Sequence, residues 1–444
     1  MKIPAHRRHT LANGTRLILL PRHEVPLIAF EAVMRGGARL DSPSRAGLAA
    51  VSAALLTRGA AGRDAHAFAE AVEGAGGSLE ADAHSEAIAL HGQFLARDRE
   101  LMLELLSDGL QRPRFEASEL DIVCTRRIEF IKAAKDSEPQ SLIGLYGRAL
   151  LFADHPFGKP VGGSESSLAC LTRADVLGFY RDHIGADRLT LVFAGDFDPD
   201  WMLEAVTAAF GSWGVARELL SPLSAPPRVQ GRNVLLIDAP DSTQTYFWIG
   251  NTGVARSYPQ RAALEITNTA FGGSFGSMLM QALRVKSGLT YSVSSNFRRG
   301  TVPADFAINS FTRAESTGEA LDLALNTLST LKREGAGERS LASARNYILG
   351  QYPLGFETAA DWASALAELD LYELPESYID EFAHSLHSVD AAASQRVVEN
   401  AYPDAADVEI VLIGDAARIR ADAARLGPVR EKSLAAPDFY APAA

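Results

Sequence analysis

Two strand-like landmarks recur in this chain at one fixed spacing. An apolar run that ends at Pro21 has its counterpart in a run that ends at Pro240, and a run closed by Gly195-Asp196 has its counterpart in one closed by Gly414-Asp415. Both pairs are 219 residues apart. Because the two landmarks stand at opposite ends of a long segment and share one offset, the sequence predicts duplication of a whole domain.

The boundary between the two copies is marked by a proline-rich stretch, Ser221-Pro222-Leu223-Ser224-Ala225-Pro226-Pro227, which has neither helical nor strand periodicity. We therefore predict an N-terminal half over residues 1–218, a linker over 219–231 and a C-terminal half over 232–444. A length of 444 residues is enough for two cores of ordinary size.

Hydrophobic periodicity predicts the content of each half. In the first half we expect strands over Leu27–Met34 and Ala83–Phe94, and helices over Ser44–Arg58, Arg97–Gln111 and Ala117–Lys135. Because the strands and helices are grouped and do not alternate strictly, the pattern predicts an α+β fold. Each half would be an antiparallel-rich sheet packed with helices on one face.

Composition excludes several functional classes. The net charge of −12 argues against a nucleic-acid-binding surface, and two isolated cysteines provide no disulfide framework and no cysteine metal site. No apolar run reaches membrane-spanning length, and the first residues contain no signal peptide. We expect no membrane association and a cytoplasmic location, or a periplasmic one if a signal peptide has been removed.

A glycine-rich element in the second half precedes the most informative stretch. Phe271-Gly272-Gly273-Ser274-Phe275-Gly276-Ser277 lacks the lysine of a phosphate-binding loop and follows a helical run. Beyond it we predict a helix through Arg284 that is capped by Gly288, and then a strand over Leu289–Val293 that carries Tyr291.

The stretch from Gly272 to Val293 resembles a hallmark of the pitrilysin/insulinase-type zinc peptidases, the inverzincins, which include mitochondrial processing peptidase. Further similarity lies in Asn13-Gly14, Gly36-Gly37-Ala38-Arg39, His155-Pro156-Phe157-Gly158 and Gly195-Asp196. The resemblance covers nearly the whole chain, and it implies two related α+β halves in each subunit, in agreement with the repeat.

The catalytic signature of these peptidases is absent. It is His-x-x-Glu-His on the first long helix, where two histidines four residues apart bind zinc and the glutamate polarises the attacking water. The corresponding positions here are Ala50, Ala53 and Ala54. Glu129 falls near the place of the third, acidic ligand, but one carboxylate does not hold catalytic zinc. We expect no metal and no catalytic residue in this chain.

In the two-subunit members of the family, one subunit supplies zinc and the other supplies an Arg/Tyr pair. The resemblance assigns that pair to Arg284 and Tyr291, which can donate hydrogen bonds to a peptide carbonyl or carboxylate. It implies that the chain is the non-catalytic, substrate-binding subunit of a heterodimeric zinc metalloendopeptidase. The partner would be a His-x-x-Glu-His subunit that holds the zinc and the general base, and the substrate would be a peptide or an unfolded protein.

Three other interpretations remain open at this point. The chain could be a purely structural subunit of the same fold, or a homodimeric peptide-binding protein without a proteolytic role. It could also be a self-sufficient hydrolase whose metal site has an unfamiliar ligand set. The retained Arg284 and Tyr291 argue against the first, and zinc analysis of the purified chain tests the last.

Overall fold

The computed structural model describes residues 1–442, which form two compact units. Unit 1 comprises Met1–Phe130, Lys159–Pro222 and Pro353–Asp380. Unit 2 comprises Ile131–Gly158, Leu223–Tyr352 and the chain from Glu381 onward. The units therefore follow the two halves of the sequence, except that each half contributes one segment to the other unit. These segments are Ile131–Gly158 and Pro353–Asp380. The predicted boundary at 219–231 does not anticipate this exchange.

Each unit contains one six-stranded sheet. The strands of unit 1 are β1 Arg7–Thr10, β2 Arg16–Pro21, β3 Leu27–Arg35, β4 Ser78–Ala83, β5 Ala87–Leu95 and β6 Leu189–Gly195. Those of unit 2 are β7 Arg232–Asp238, β8 Gln244–Thr252, β9 Val293–Arg299, β10 Pro303–Arg313, β11 Val408–Gly414 and β12 Val429–Ser433.

The helices are, in chain order, α1 Leu48–Leu56, α2 Ala65–Gly74, α3 Arg99–Gln111, α4 Ala117–Ser137, α5 Ile143–Phe152, α6 Glu165–Leu168, α7 Arg173–His183, α8 Pro199–Phe210, α9 Arg261–Asn268, α10 Thr317–Glu334, α11 Glu338–Gln351, α12 Ala359–Leu371, α13 Ser377–Asp380, α14 Phe382–His387, α15 Ala391–Ala401 and α16 Ala416–Leu426. Among the described residues, none of these helices is both long and apolar enough to cross a membrane.

The strand orders confirm the duplication. They are β1-β2-β6-β3-β5-β4 in unit 1 and β12-β7-β11-β8-β10-β9 in unit 2, so five strands occupy equivalent places and only the outermost strand differs. Most neighbours are antiparallel, whereas β2 with β6, β7 with β11 and β7 with β12 run parallel. The α+β fold predicted from the sequence is therefore confirmed, together with its antiparallel-rich sheets.

The structure adds a helix on the second face of each sheet, where the sequence predicted helices on one face only. All residues of β6 and of β11 are buried, so these strands need cover on both faces. In unit 1 that cover is α12, whose Trp362 and Leu366 pack with Val33 and Val192.

In unit 2 the second face is covered by α5. A Cβ atom at Gly147 would stand 2.5 Å from the ring of Trp248, so the absent side chain lets α5 approach the sheet closely. Tyr146 packs edge-on against Phe439 beside it, with ring centroids 5.1 Å apart.

Polar contacts also fix α12 in unit 1. The Asp370 carboxylate near the end of α12 accepts a hydrogen bond from Thr190 Oγ1 on β6 at 2.6 Å and lies 3.1 Å from an Arg16 guanidinium nitrogen on β2. These bonds connect one helix end with two strands of the sheet and satisfy a carboxylate that is only 12% exposed.

Glu31 gives unit 1 a pH-dependent stability. It lies partly buried on β3, and burial raises the pKa of its carboxyl from 4.5 to about 7. Because this folded pKa exceeds the unfolded one, the stabilisation is complete below the unfolded pKa and is lost as the pH rises through the folded value. We expect Glu31→Gln to raise the free energy of unfolding at about pH 8 by about 1–3 kcal/mol, with little change at about pH 4.

Urea denaturation at both pH values measures this effect. Glu73→Gln, on the exposed side of α2, is the matched control and should leave the pH profile unchanged. Equal stabilities of Glu31→Gln and the parent protein at both pH values would contradict the assignment.

Candidate functional site

Helix α1 is held in place by a buried carboxylate at its start. Asp41 accepts hydrogen bonds from the backbone N–H groups of Gly47 and Ala49, each at 2.9 Å, and so satisfies donors that a helix N-terminus leaves free. Gly47 has a φ of +93°, and a Cβ atom there would come within 2.7 Å of Gly163. Burial raises the pKa of Asp41 to about 7, and these backbone bonds act in the opposite direction.

The face of α1 that would hold zinc contains methyl groups only. Ala50 is 3% exposed, Ala53 is fully buried and Ala54 is partly buried. The helix packs against β4 and β5. None of the three side chains has a lone pair for a metal or a base for water, so these residues do not fit a zinc ion.

A guanidinium from α4 occupies the neighbourhood of this face. An Arg127 nitrogen donates a hydrogen bond to the Ala50 carbonyl oxygen at 3.2 Å. Burial lowers the pKa of Arg127, and the nearby Asp82 carboxylate opposes that shift. Glu129 follows two residues later, about 200° further around the helix, and is exposed. The structure thus brings a cation toward Ala50 from α4, on the side of the helix that Glu129 does not face.

One grouping of metal-ligating residue types occurs in the described part of unit 1. Glu80 and Asp82 share a face of β4, and His91 stands opposite Glu80 on β5, with ligand atoms within 4.8 Å of one another. His91 Nε2 lies 3.8 Å from a Glu80 oxygen, and Glu80 is 73% exposed. A solvent-exposed imidazole–carboxylate pair accounts for this arrangement, so the grouping does not by itself indicate a catalytic metal centre.

In unit 2 the glycine-rich element begins within one π-helical segment, Thr269–Gly273, and ends before a second one, Met280–Lys286. π-Helical turns are rare and occur often at functional sites. Gly272 is required by packing, because a Cβ atom there would lie 2.4 Å from the Ser295 hydroxyl.

The second segment ends as the sequence predicts. Gly288 has a φ of +64°, and its N–H bonds to the Arg284 carbonyl at 3.0 Å. Leu289 N–H then bonds to the Leu283 carbonyl at 2.9 Å. Tyr291 is not on a strand, contrary to the sequence prediction, because β9 begins only at Val293.

The structure brings Arg284 and Tyr291 together. The Arg284 guanidinium carbon lies 4.4 Å from the centroid of the Tyr291 ring and 4.8 Å from that of the Phe275 ring. Such cation–π contacts contribute about 0.5–1 kcal/mol each at exposed sites. Tyr291 is 72% exposed and Phe275 is 64% exposed, so both rings remain largely open to solvent.

Arg284 lies against two aromatic rings and, in the part of the chain that the structure describes, against no carboxylate. Within residues 1–442 its guanidinium makes no ion pair and no side-chain hydrogen bond. The N–H groups of a guanidinium point outward in the plane of that group. Contacts between the guanidinium and the faces of the two aromatic rings therefore leave its N–H groups available as donors. The arrangement can therefore bind a carbonyl or carboxylate oxygen supplied from outside the chain.

Phe275 is the residue of this site that the sequence interpretation missed. It lies in the glycine-rich stretch, where this large aromatic residue is flanked only by Ser and Gly. An apolar residue in such a loop was the available signal, but only the structure reveals that it contacts Arg284.

Two family models match the chain in succession. Residues 28–161 match the insulinase family, peptidase family M16, and residues 171–348 match the peptidase M16 inactive domain. The first match contains helix α1. The second contains the cluster of Arg284, Phe275 and Tyr291, which we call the Arg284 stack.

Comparison with individual proteins gives the same result. An uncharacterized zinc protease of Mycobacterium tuberculosis is 28% identical over 397 residues, covering 88% of this chain and 89% of the relative. A non-peptidase homolog, YmxG, of Helicobacter pylori is 25% identical over 340 residues, 76% of this chain and 77% of the relative. A solved peptidase M16 inactive domain from Pseudomonas fluorescens shares the fold, with a TM-score of 0.85 and 24% identity over 92% of this chain and 98% of that one.

Restoring the three zinc-site side chains should damage the helix. We expect the triple variant Ala50→His, Ala53→Glu, Ala54→His to unfold more easily by about 2–5 kcal/mol, because buried alanines next to Arg127 leave no room for larger polar groups. Thermal and urea denaturation measure the loss, and Ala133→His on the exposed side of α4 is the control. Full stability together with one tightly bound zinc ion would contradict this account.

Proposed function

The chain belongs to the peptidase M16 family, and we propose that it is the substrate-binding, non-catalytic subunit of a heterodimeric zinc metalloendopeptidase. It contains the Arg284 stack and has alanines at the zinc-ligand positions. The observation that carries the proposal is the half-buried Arg284 guanidinium, which lies over the exposed rings of Phe275 and Tyr291 and has no carboxylate partner in the described chain.

Zinc and the general base would come from the partner subunit. The buried face of α1 presents Ala50, Ala53 and Ala54, none of which can bind a metal or accept a proton. A chain that keeps the fold without the ligands has lost its own means of activating water. Proteolysis therefore requires a second subunit with an intact His-x-x-Glu-His helix.

The role of this chain would be to hold the peptide. Arg284 can donate a forked pair of hydrogen bonds to a backbone carbonyl or carboxylate, and the Tyr291 hydroxyl can donate to the same group or to an oxyanion that forms on it. A donor that meets developing charge in an enclosed site stabilises a transition state by about 3–4 kcal/mol. The stacking on two rings orients the guanidinium before the peptide arrives, which lowers the entropy cost of binding.

Phe275 and Tyr291 would add an apolar surface beside this donor group. Both rings are more than half exposed, and aromatic rings are the side chains that most often anchor a bound chain. The ligand that suits this arrangement is an extended peptide or an unfolded protein segment, in which backbone carbonyls and side chains are accessible together.

A mixing experiment tests the proposed role. The isolated chain should cleave no peptide, and addition of a His-x-x-Glu-His subunit encoded by the same genome should produce cleavage. Arg284→Ala in this chain should then lower kcat/KM at least about 100-fold, without separating the subunits in size-exclusion chromatography.

Arg333→Ala is the matched control, because Arg333 is exposed at the end of α10 and pairs with its neighbour Glu334. It should leave kcat/KM unchanged. Undiminished turnover by the Arg284→Ala heterodimer would rule out the binding role.

The metal content of the purified chain tests the other half of the proposal. After dialysis against a chelator and re-exposure to equimolar zinc, we expect less than about 0.1 zinc per chain to remain bound, because tight zinc sites need three or four protein ligands in good geometry. Plasma mass spectrometry measures the ratio. If one zinc per chain is retained, His91→Ala distinguishes the exposed Glu80–Asp82–His91 grouping from any site at α1, and retention in that variant would overturn the proposal.

A further inference from the structure

The peptide-binding region of unit 2 carries a charge opposite to that of the whole chain. Residues 266–304 contain the cations Arg284, Lys286, Arg298 and Arg299 and no aspartate or glutamate. The whole chain, by contrast, has a net charge of −12. A run of 39 residues without an acidic side chain therefore coincides with the loop, the Arg284 stack and strand β9.

The acidic side chains that bracket this run are already engaged by its arginines. Glu265 lies 2.5 Å from Arg299, which neutralises that pair. Asp305 on β10 is 3% exposed and approaches Arg298 at 3.8 Å. Neither carboxylate is left to neutralise Arg284 or Lys286.

The charge of a second guanidinium acts in the neighbourhood of the Asp305 carboxylate. Arg148 on α5 lies close enough to feel the charges of both Arg298 and Asp305, and burial lowers the pKa of Arg148 to about 10, with the charge of Arg298 acting in the same direction. Two guanidinium groups for one carboxylate leave an excess positive charge at the end of β9. Arg298, 43% exposed, presents that charge to solvent.

The two cationic positions lie toward opposite ends of β9, Arg284 on the π-helical segment beside its start and Arg298 near its end. Arg284 contacts Tyr291, just before β9 begins at Val293, and Arg298 lies near the end of β9. Five residues of extended strand span about 17 Å. A bound extended chain that follows this direction would therefore meet one cation near each end of a segment of five to seven residues.

We propose that this surface selects acidic peptide segments, with one carboxylate held at Arg284 and a second, about six residues away, at Arg298. The inference rests on the proposed peptide-binding role and adds the substrate class to it. Attraction between a carboxylate and an exposed guanidinium is strong only within about a Debye length, roughly 10 Å at 0.1 M salt. The local cations therefore decide the preference, and the net charge of the distant surface is largely screened.

Fluorescence anisotropy with the full-length chain tests the proposal. Four labelled peptides share one length and one apolar pattern: the first has two glutamates six residues apart, the second has glutamines there, the third has lysines, and the fourth has the two glutamates side by side. We expect the first peptide to bind about tenfold more tightly than the glutamine peptide at low salt, and this preference to shrink in high salt. The lysine peptide should bind no better than the glutamine peptide. The side-by-side peptide, which can place a carboxylate at only one of the two guanidinium groups, should bind clearly less tightly than the first peptide.

Two variants and a control locate the effect. Arg298→Gln should remove most of the advantage of the spaced glutamates while it keeps the affinity for the glutamine peptide. Arg284→Ala should weaken all four peptides. Arg333→Gln removes one exposed cation elsewhere and should change nothing.

The possible failures are distinguishable. If no peptide binds, or if Arg284→Ala binds all of them normally, the proposed function itself fails. If peptides bind through Arg284 but glutamates give no advantage, or if Arg298→Gln leaves the advantage intact, only the acidic preference is overturned. A single-stranded oligonucleotide of equal charge that binds as tightly as the spaced glutamate peptide would also overturn it, because the surface would then be a general anion site.

Discussion

Both units are organised around a strand that has no exposed residue, β6 in one sheet and β11 in the other. A strand buried on both faces must be covered on both, and the core helices cover only one. The second face is covered by α12 in unit 1 and by α5 in unit 2, each of which comes from the other half of the sequence. Without residues 353–380, unit 1 would expose Val33 and Val192 to water, and the Asp370 contacts with Arg16 and Thr190 would be lost. Each compact unit is therefore assembled from separate segments of the chain, although the two copies of the repeat are continuous halves of the sequence.

The position of α1 is likewise fixed by contacts within the protein. Its start is fixed by the Asp41 carboxylate and by the close approach of Gly47 to Gly163, and neither interaction involves zinc. Alanine is also the strongest helix former. Ala50, Ala53 and Ala54 therefore favour the helix although they provide no metal ligand. Catalytic zinc sites add activity to a fold that is already stable, in contrast to structural zinc sites, whose loss unfolds the domain. With alanine at these three positions α1 is a complete helix, and Arg127 donates a hydrogen bond to its Ala50 carbonyl.

Local patterns in the sequence predicted local structure well and long-range structure poorly. The strand over Leu27–Met34 and the helix over Ala117–Lys135 agree with β3 and α4 to within two residues, because strand alternation and helical spacing are local signals. The exchange of α12 and α5 could not be predicted, because which sheet a helix covers depends on contacts between residues far apart in sequence. Tyr291 was placed on a strand because Thr-Tyr-Ser-Val has strand composition, whereas the π-helical segment before it delays β9 to Val293. The family resemblance identifies Arg284 and Tyr291. The contact between Arg284 and the Phe275 ring is visible only in the structure.

Net charge is a weak guide to what such a protein binds. A total of −12 is distributed over 444 residues, and in salt each charge acts only over about 8–10 Å, which is far less than the width of a unit. In the proposed binding role, a peptide would therefore respond to Arg284, Lys286 and Arg298 and to the engaged carboxylates Glu265 and Asp305, and the distant aspartates and glutamates would contribute little. Acidic residues elsewhere on the surface favour solubility. The segment between Glu265 and Asp305 contains no acidic residue, so it provides no carboxylate that could pair with Arg284. An internal carboxylate in that segment would compete with the ligand for the guanidinium, so the same absence that makes the region cationic also keeps it open for binding.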